Sequence, residues 1–351
     1  MIMRKYIIVM TLLLCSLTAM AQEQKPDTVI ITLRNGTEVR YTSDQFDRVQ
    51  VIFNLYYGVK VYLKDGKSKD YLAAEVRIAE YHGGGMIVDS NKNRNLYRAK
   101  LLEYPHLAAD STMNQLIVKS TSDYGITYSL EWSYQDKANR WTCYQMHSGN
   151  MYKNVERTKP DPFTEDDDIP EEYRSTLDDY KNSGFSRGHL CPSADRLCSK
   201  EQNTQTFLLS NMQPQWQYHN GGLWVKFENK VRTWAEDCDT LYVVKAATIR
   251  SDQLYTEKCN DKLPVPKYFY MALLSYKKST NEYEAIGIWT QQYKTKEDDP
   301  YQTQPLSFYA ISIDELEERT GIDFFCNLPD DEEEKVEKAA HIDYWGLTEQ
   351  Q

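Results

Sequence analysis

Residues 184–196 read GFSRGHLCPSADR, and they put Arg187, Gly188 and His189 side by side in a chain with only six histidines. Histidine exchanges protons near neutral pH, yet an isolated histidine is more often a packed or surface residue than a catalytic one. The residues that follow give this one its meaning. Arg187, His189, Asn211, Asn220 and Glu228 all fall within 42 residues. The segment HNGGLWVKFENKVRTWAED (219–237) spaces Leu223, Phe227, Val231 and Trp234 by four, four and three, which predicts a helix with one apolar stripe. Asn220 sits at the start of that helix and Glu228 about two turns later, so both look broadly toward one side. Alone, the asparagine would be an ordinary cap and the glutamate a solvated helix residue.

Together the five side chains suit phosphodiester hydrolysis. That reaction needs a base to activate water, a cation to hold charge on the scissile phosphate and leaving oxygen, and a positioned positive side chain. His189 is the candidate base. Asn220 offers a neutral oxygen to a hard cation such as Mg²⁺, and Glu228 can hold the cation's waters. Arg187 can grip phosphate in a fork.

The stretch closely resembles the DNA/RNA non-specific endonuclease family, which includes the secreted Serratia-type nuclease and mitochondrial endonuclease G. The family signature runs Asp-Arg-Gly-His-Leu, Ser-Asn-Met-x-Pro-Gln, an Asn before a Trp, and a Glu in the following helix. The matching residues are Ser186-Arg187-Gly188-His189-Leu190, Ser210 to Gln215, Asn220 with Trp224, and Glu228. The resemblance implies an α+β fold in which a ββα-metal (His-Me finger) nuclease domain is built on a mixed sheet. It implies His189 as general base, Asn220 as the sole direct protein ligand of a hydrated Mg²⁺ (Mn²⁺ substituting), and Glu228 on a metal-bound water. Arg187 and Asn211 would orient or stabilise phosphate and site, and Arg157 in VERTKPDPF resembles a further phosphate-contacting arginine. VPKYFYMALL and SIDELEERTGIDFF resemble the family's late strand and C-terminal helix. Two residues depart from the pattern. Ser186 replaces the leading Asp, and Ala246-Ala247 stand where the family tends to place a Gly.

The rest of the chain frames this domain. Arg4 and Lys5, the apolar run 7–17 and Ala19-Met20-Ala21 read as a signal peptide over 1–21, and so as an exported protein, periplasmic or secreted. No later apolar run is long enough to span a membrane. Residues 22–82 alternate apolar and polar positions around Asn35-Gly36 and Asp65-Gly66, which predicts a small β-rich module of hairpins. Residues 83–99 read as a linker, 100–340 as the endonuclease domain and 341–351 as a tail. Past the signal six cysteines remain, without a Cys-x-x-Cys pair, and Cys191 and Cys198 flank the site turn as candidates for a bridge. In SIDELEERTG, Ser312 and Glu315 form a capping box and Gly321 suits the helix end.

The chain carries 41 basic and 52 acidic side chains, a net −11, and loss of Arg4 and Lys5 takes it to −13. This argues against loose adhesion to nucleic acid. Residues 187–250 nevertheless hold eight basic and six acidic side chains, a local +2 that can focus a polyanion. The acidic runs DPFTEDDDIPEE (161–172) and DDEEEKVE (330–337) read as solvated surface. The expected function is therefore sequence-tolerant hydrolysis of DNA and RNA, in a monomer or a homodimer. The rivals are a nuclease-fold binding or adhesion protein without catalysis, and a hydrolase of another phosphodiester.

Overall fold

The computed structural model describes residues 28–33, 37–42, 44–52, 58–72, 76–82, 101–108 and 112–348. The signal segment 1–21, the 83–99 linker and the Asn35-Gly36 turn lie outside the described residues. The chain divides into two units, Met1–Ser90 and Asn91–Gln351.

In the first unit, β1 (Thr28–Leu33), β2 (Glu38–Thr42) and β6 (Val76–His82) form one antiparallel sheet in the order β2-β1-β6. A second sheet orders β3 (Phe46–Ile52), β4 (Gly58–Leu63) and β5 (Ser68–Leu72) consecutively. The predicted alternation sets the register, with Val29 opposite Tyr41 and Ile31 opposite Val39. Gly66 takes the turn between β4 and β5 at φ 84°, a left-handed conformation that favours glycine. Val29, Ile31, Tyr41, Phe46, Val61 and Tyr71 form this unit's core.

The second unit is built on a sheet of seven strands. They are β7 (Asn114–Thr121), β8 (Gly125–Ser133), β9 (Ala138–His147), β12 (Thr240–Ala247), β15 (Tyr268–Lys277), β16 (Glu282–Gln291) and β17 (Ala310–Ile311). The spatial order is β17-β16-β15-β12-β9-β8-β7, and every neighbouring pair is antiparallel rather than mixed. Both faces are covered, which is why the central strands are nearly continuous apolar runs. Leu241 and Val243 of β12 look to one face, and Val244 and Ala246 to the other. The first face is packed by Trp224 and by Phe227, Val231, Trp234 and Ala235 of α4 (Val225–Glu236). Burying each of the larger of these side chains contributes about 2 kcal/mol. The second face is packed by Ile313 and Leu316 of α5 (Ile313–Thr320), by Val336 of α6 (Asp330–Glu337), and by Phe324 and Tyr104. Ser312 caps α5 by accepting from the Glu315 amide, and Gly321 ends it at φ 69°. No described helix is long and apolar enough to cross a membrane.

The end of the chain corrects the sequence reading. Residues 341–348 are not a loose tail. Trp345 is 2% exposed, its ring meets that of Trp234 edge-on at 5.1 Å, and its carbonyl accepts from Trp234 Nε1 at 2.7 Å. Trp345→Ala removes a buried indole against α4 and should cost about 3–5 kcal/mol, read as a lower denaturation midpoint in urea with an unchanged slope.

Candidate active site

The site begins with a two-stranded antiparallel hairpin, β10 (Ser186–His189) and β11 (Met212–Gln215), which pairs His189 with Met212 and Gly188 with Gln213. Gly188 is required because a Cβ there would lie 2.2 Å from Gln215 Oε1. Gln215 Nε2 donates to His219 Nδ1 at 2.6 Å, and His219 Nε2 donates to Thr290 Oγ1 at 3.0 Å on β16, which ties the hairpin to the main sheet. Asn211 is fully buried. Its Oδ1 accepts from the Cys191 amide and its Nδ2 donates to the carbonyls of Cys191 and Thr206, each at 2.9 Å.

The helix following β11 is not the plain one expected. A short α3 (Gln217–His219) passes into a π-turn over Asn220–Trp224 and then into α4. Asn220 is therefore inside the helical run, not its cap, and Trp216 occupies the cap position. The wide turn matters for phase. Eight residues of plain α-helix rotate about 80° beyond two turns, whereas a π-turn absorbs one residue and leaves about −20°. Asn220 and Glu228 are thereby brought to one side of the helix. Trp224, in the same turn, is directed at the His189 carbonyl through Nε1 at 3.4 Å, linking hairpin and helix. The Asn220 side chain has no hydrogen-bond partner among the described residues.

His189 lies between two phenyl rings, 5.7 Å from Phe163 and 5.2 Å from Phe207. A cation covers each ring: the guanidinium of Arg187 is 4.2 Å from the Phe163 centroid and that of Arg157 is 4.8 Å from Phe207. Burial, then the charge of Arg157, pushes the imidazole down to about 3, so it is neutral at pH 7. The residue as a whole is partly exposed, yet its Nε2 is enclosed and has no partner among the described residues. Arg157 is held by Asp161 through two hydrogen bonds, at 3.0 and 2.7 Å. Burial pushes the Glu228 carboxyl up to about 7, against the opposing charge of Lys245. The charge of Arg157 reaches both His189 and Glu228, so these groups share one electrostatic neighbourhood.

Comparison with known proteins places the chain in a family. Residues 111–331 match the model of the DNA/RNA non-specific endonuclease family. The chain belongs to that family. A nuclease of Syncephalastrum racemosum is 30% identical over 218 residues, covering 57% of this chain and 66% of that protein. A nuclease of Nostoc sp. is 30% identical over 217 residues, covering 61% of this chain and 74% of that protein. The EndoG structure solved in complex with EndoGI shares the fold at a TM-score of 0.51 and 24% identity, over 61% of this chain and 88% of that one.

Within this endonuclease-family chain, the site residues divide by what they touch. His189, Arg157, Arg187, Asn220 and Glu228 are at least partly exposed, whereas Asn211 is sealed against the backbone. Ser186, standing for the family Asp, donates to Gln217 Oε1 at 2.7 Å and so joins β10 to α3. Sequence reasoning missed Phe163, Phe207, Asp195 and Lys245. The side chain of Asp195 is fully buried and binds Arg232 at 2.7 Å and the Tyr144 hydroxyl at 2.8 Å. Lys245, fully buried on β12, directs Nζ between the rings of Tyr144 and Trp224 with no hydrogen-bond partner among the described residues. The alternation of β12 was the signal for it: Lys245 follows Leu241 and Val243 on the face that carries α4.

The expected bridge between Cys191 and Cys198 is not formed. All six cysteines after residue 21 are free thiols, and Cys198 Sγ donates to Gln202 Oε1 at 2.8 Å. The acidic run 161–172 is also more than solvated surface. Asp166 is 2% exposed and binds Lys119 at 2.5 Å, and Asp161 pairs with Arg157.

His219 gives a test of this packing. Burial pushes it down to about 3, below its unfolded value, so the unfolded chain takes up the proton first. Its contribution is present above about pH 6.5 and is lost as pH falls toward 3. Urea unfolding at pH 7 and pH 5 should show His219→Gln losing about 2 kcal/mol less than the parent between the two.

Proposed function

We propose that this protein is an exported, Mg²⁺-dependent endonuclease that hydrolyses DNA and RNA with His189 as general base. The observation that carries the reading is the neutral His189 imidazole, with Nε2 unpartnered, beside Arg157 and Arg187. A buried polar nitrogen without a partner calls for one, and a water held against a phosphodiester supplies it. The export reading rests on residues 1–21. The names of the fungal and cyanobacterial relatives support nuclease activity.

The donor set fits a hard cation. Asn220 presents an uncommitted amide oxygen, and Glu228 a carboxylate that burial leaves poorly solvated. Asn220 would hold Mg²⁺ directly and Glu228 one of its waters; when bound, the ion neutralises charge on the scissile phosphate and leaving oxygen. The protein's own steps then follow. His189 Nε2 takes the proton of the attacking water as its oxygen bonds to phosphorus. The P–O bond to the leaving sugar oxygen breaks, and solvent returns a proton to that oxygen. Arg187 holds non-bridging oxygens, and Arg157 joins it by exchanging Asp161 for phosphate. Such contacts read the backbone and not the bases, so cutting is sequence-tolerant.

Incubation of the mature chain with plasmid DNA and with RNA, in Mg²⁺ or in chelator, tests the reading. Both polymers should be degraded only with the metal, and His189→Ala should be slower by about 10²–10⁴. A folded protein that degrades neither would contradict it and favour a binding protein on the nuclease fold, and a His189→Ala variant as fast as the parent would overturn the assignment of His189 as base.

A further inference from the structure

A second cluster of oxygen ligands lies on the sheet face opposite His189. Asp314 and Glu317 project from α5, and Glu337 is the last residue of α6. One carboxylate oxygen of each lies within 4.8 Å of the other two. The sequence reading took 330–337 as solvated surface, yet Glu337 is 7% exposed and its Oε1 is enclosed with no hydrogen-bond partner among the described residues. Glu317 is fixed by the Phe324 amide, which donates to its Oε1 at 2.6 Å. The charges acting most strongly on Glu337 are those of Glu317, Glu333, Asp323 and Asp314, all of them acidic.

A chain does not gain by burying like charges against one another without a counter-charge. We propose that Asp314, Glu317 and Glu337 form a calcium site that clamps α6 onto α5. Ca²⁺ binds oxygen at about 2.3–2.6 Å, so ligand oxygens around it lie up to about 5 Å apart, which these carboxylates satisfy. Mg²⁺, at about 2.0–2.1 Å in strict octahedral geometry, demands a tighter set. Three carboxylates from two helices, all within 4.8 Å of one another, suit the larger ion. Glu317 serves as the rigid ligand, Asp314 is the exposed entry, and Glu337 is the group whose unpartnered oxygen the ion satisfies. The site is structural, because it stands on the far face of the sheet from His189. The inference does not depend on the nuclease reading.

The test uses the mature chain carrying Asn220→Ala, so that the proposed Mg²⁺ ligand is absent. Thermal unfolding is followed in chelator and in excess CaCl₂, with isothermal titration of CaCl₂ alongside. Calcium should raise the unfolding temperature by several degrees and bind at one site. Asp314→Asn, an exposed change that preserves the core, should abolish that rise, as should Glu317→Gln and Glu337→Gln. In chelator the three variants should be at least as stable as the parent, since each removes repulsion. No calcium-dependent rise in the Asn220→Ala chain, or a rise that persists in all three variants, would overturn the proposal.

Discussion

The side-chain amide of Asn211 closes both backbone hydrogen bonds of Cys191, and the rest of the site depends on that clamp. Cys191 stands two residues after His189, so the clamp fixes where β10 ends and which way the imidazole leaves it. The same amide reaches the Thr206 carbonyl, just before Phe207, the ring that meets His189 edge-on. One buried asparagine thus holds the strand of His189 and the aromatic wall in a single frame. A buried amide with every group satisfied is rigid, and an active site gains from such rigidity because its groups need no reorganisation at the moment of reaction.

Two further constraints follow from that frame. The π-turn at Asn220–Trp224 corrects the helical phase, and it lets Trp224 approach the His189 carbonyl from the helix side. Burial then sets the protonation states. The imidazole is kept neutral, and Glu228 is brought to about 7, where small changes in nearby charge move its proton. Lys245, Arg232 and Arg157 supply the positive charge around Glu228, while Asp195 opposes it.

Much of this was legible in the residues. His189, Asn211, Asn220 and Glu228 follow one another in order within a short segment, and the α4 stripe marks its own buried face. The hairpin registers of β1 and β2 and the capping of α5 are local, so period and turn chemistry reveal them. What escaped is non-local. Phe163 and Phe207 look like ordinary apolar residues until the fold brings them to either side of His189. Asp166 and Glu337 sit in charge runs, and composition does not say which side of a run turns inward. Trp345 lies near the chain end, where nothing in the sequence announces its contact with Trp234. The π-turn was hidden too, because Gly221-Gly222 reads as loosened helix and not as an inserted residue.

The most direct test of the account is a crystal structure of His189→Ala soaked with Mn²⁺ and a short DNA duplex, using the anomalous signal to locate the ion. The account predicts an ion bonded to Asn220 Oδ1, with the Glu228 carboxylate one water away and a phosphate of the duplex alongside Arg187. An ion held elsewhere in that cleft with Asn220 uninvolved, or a duplex bound away from Arg187, would contradict it.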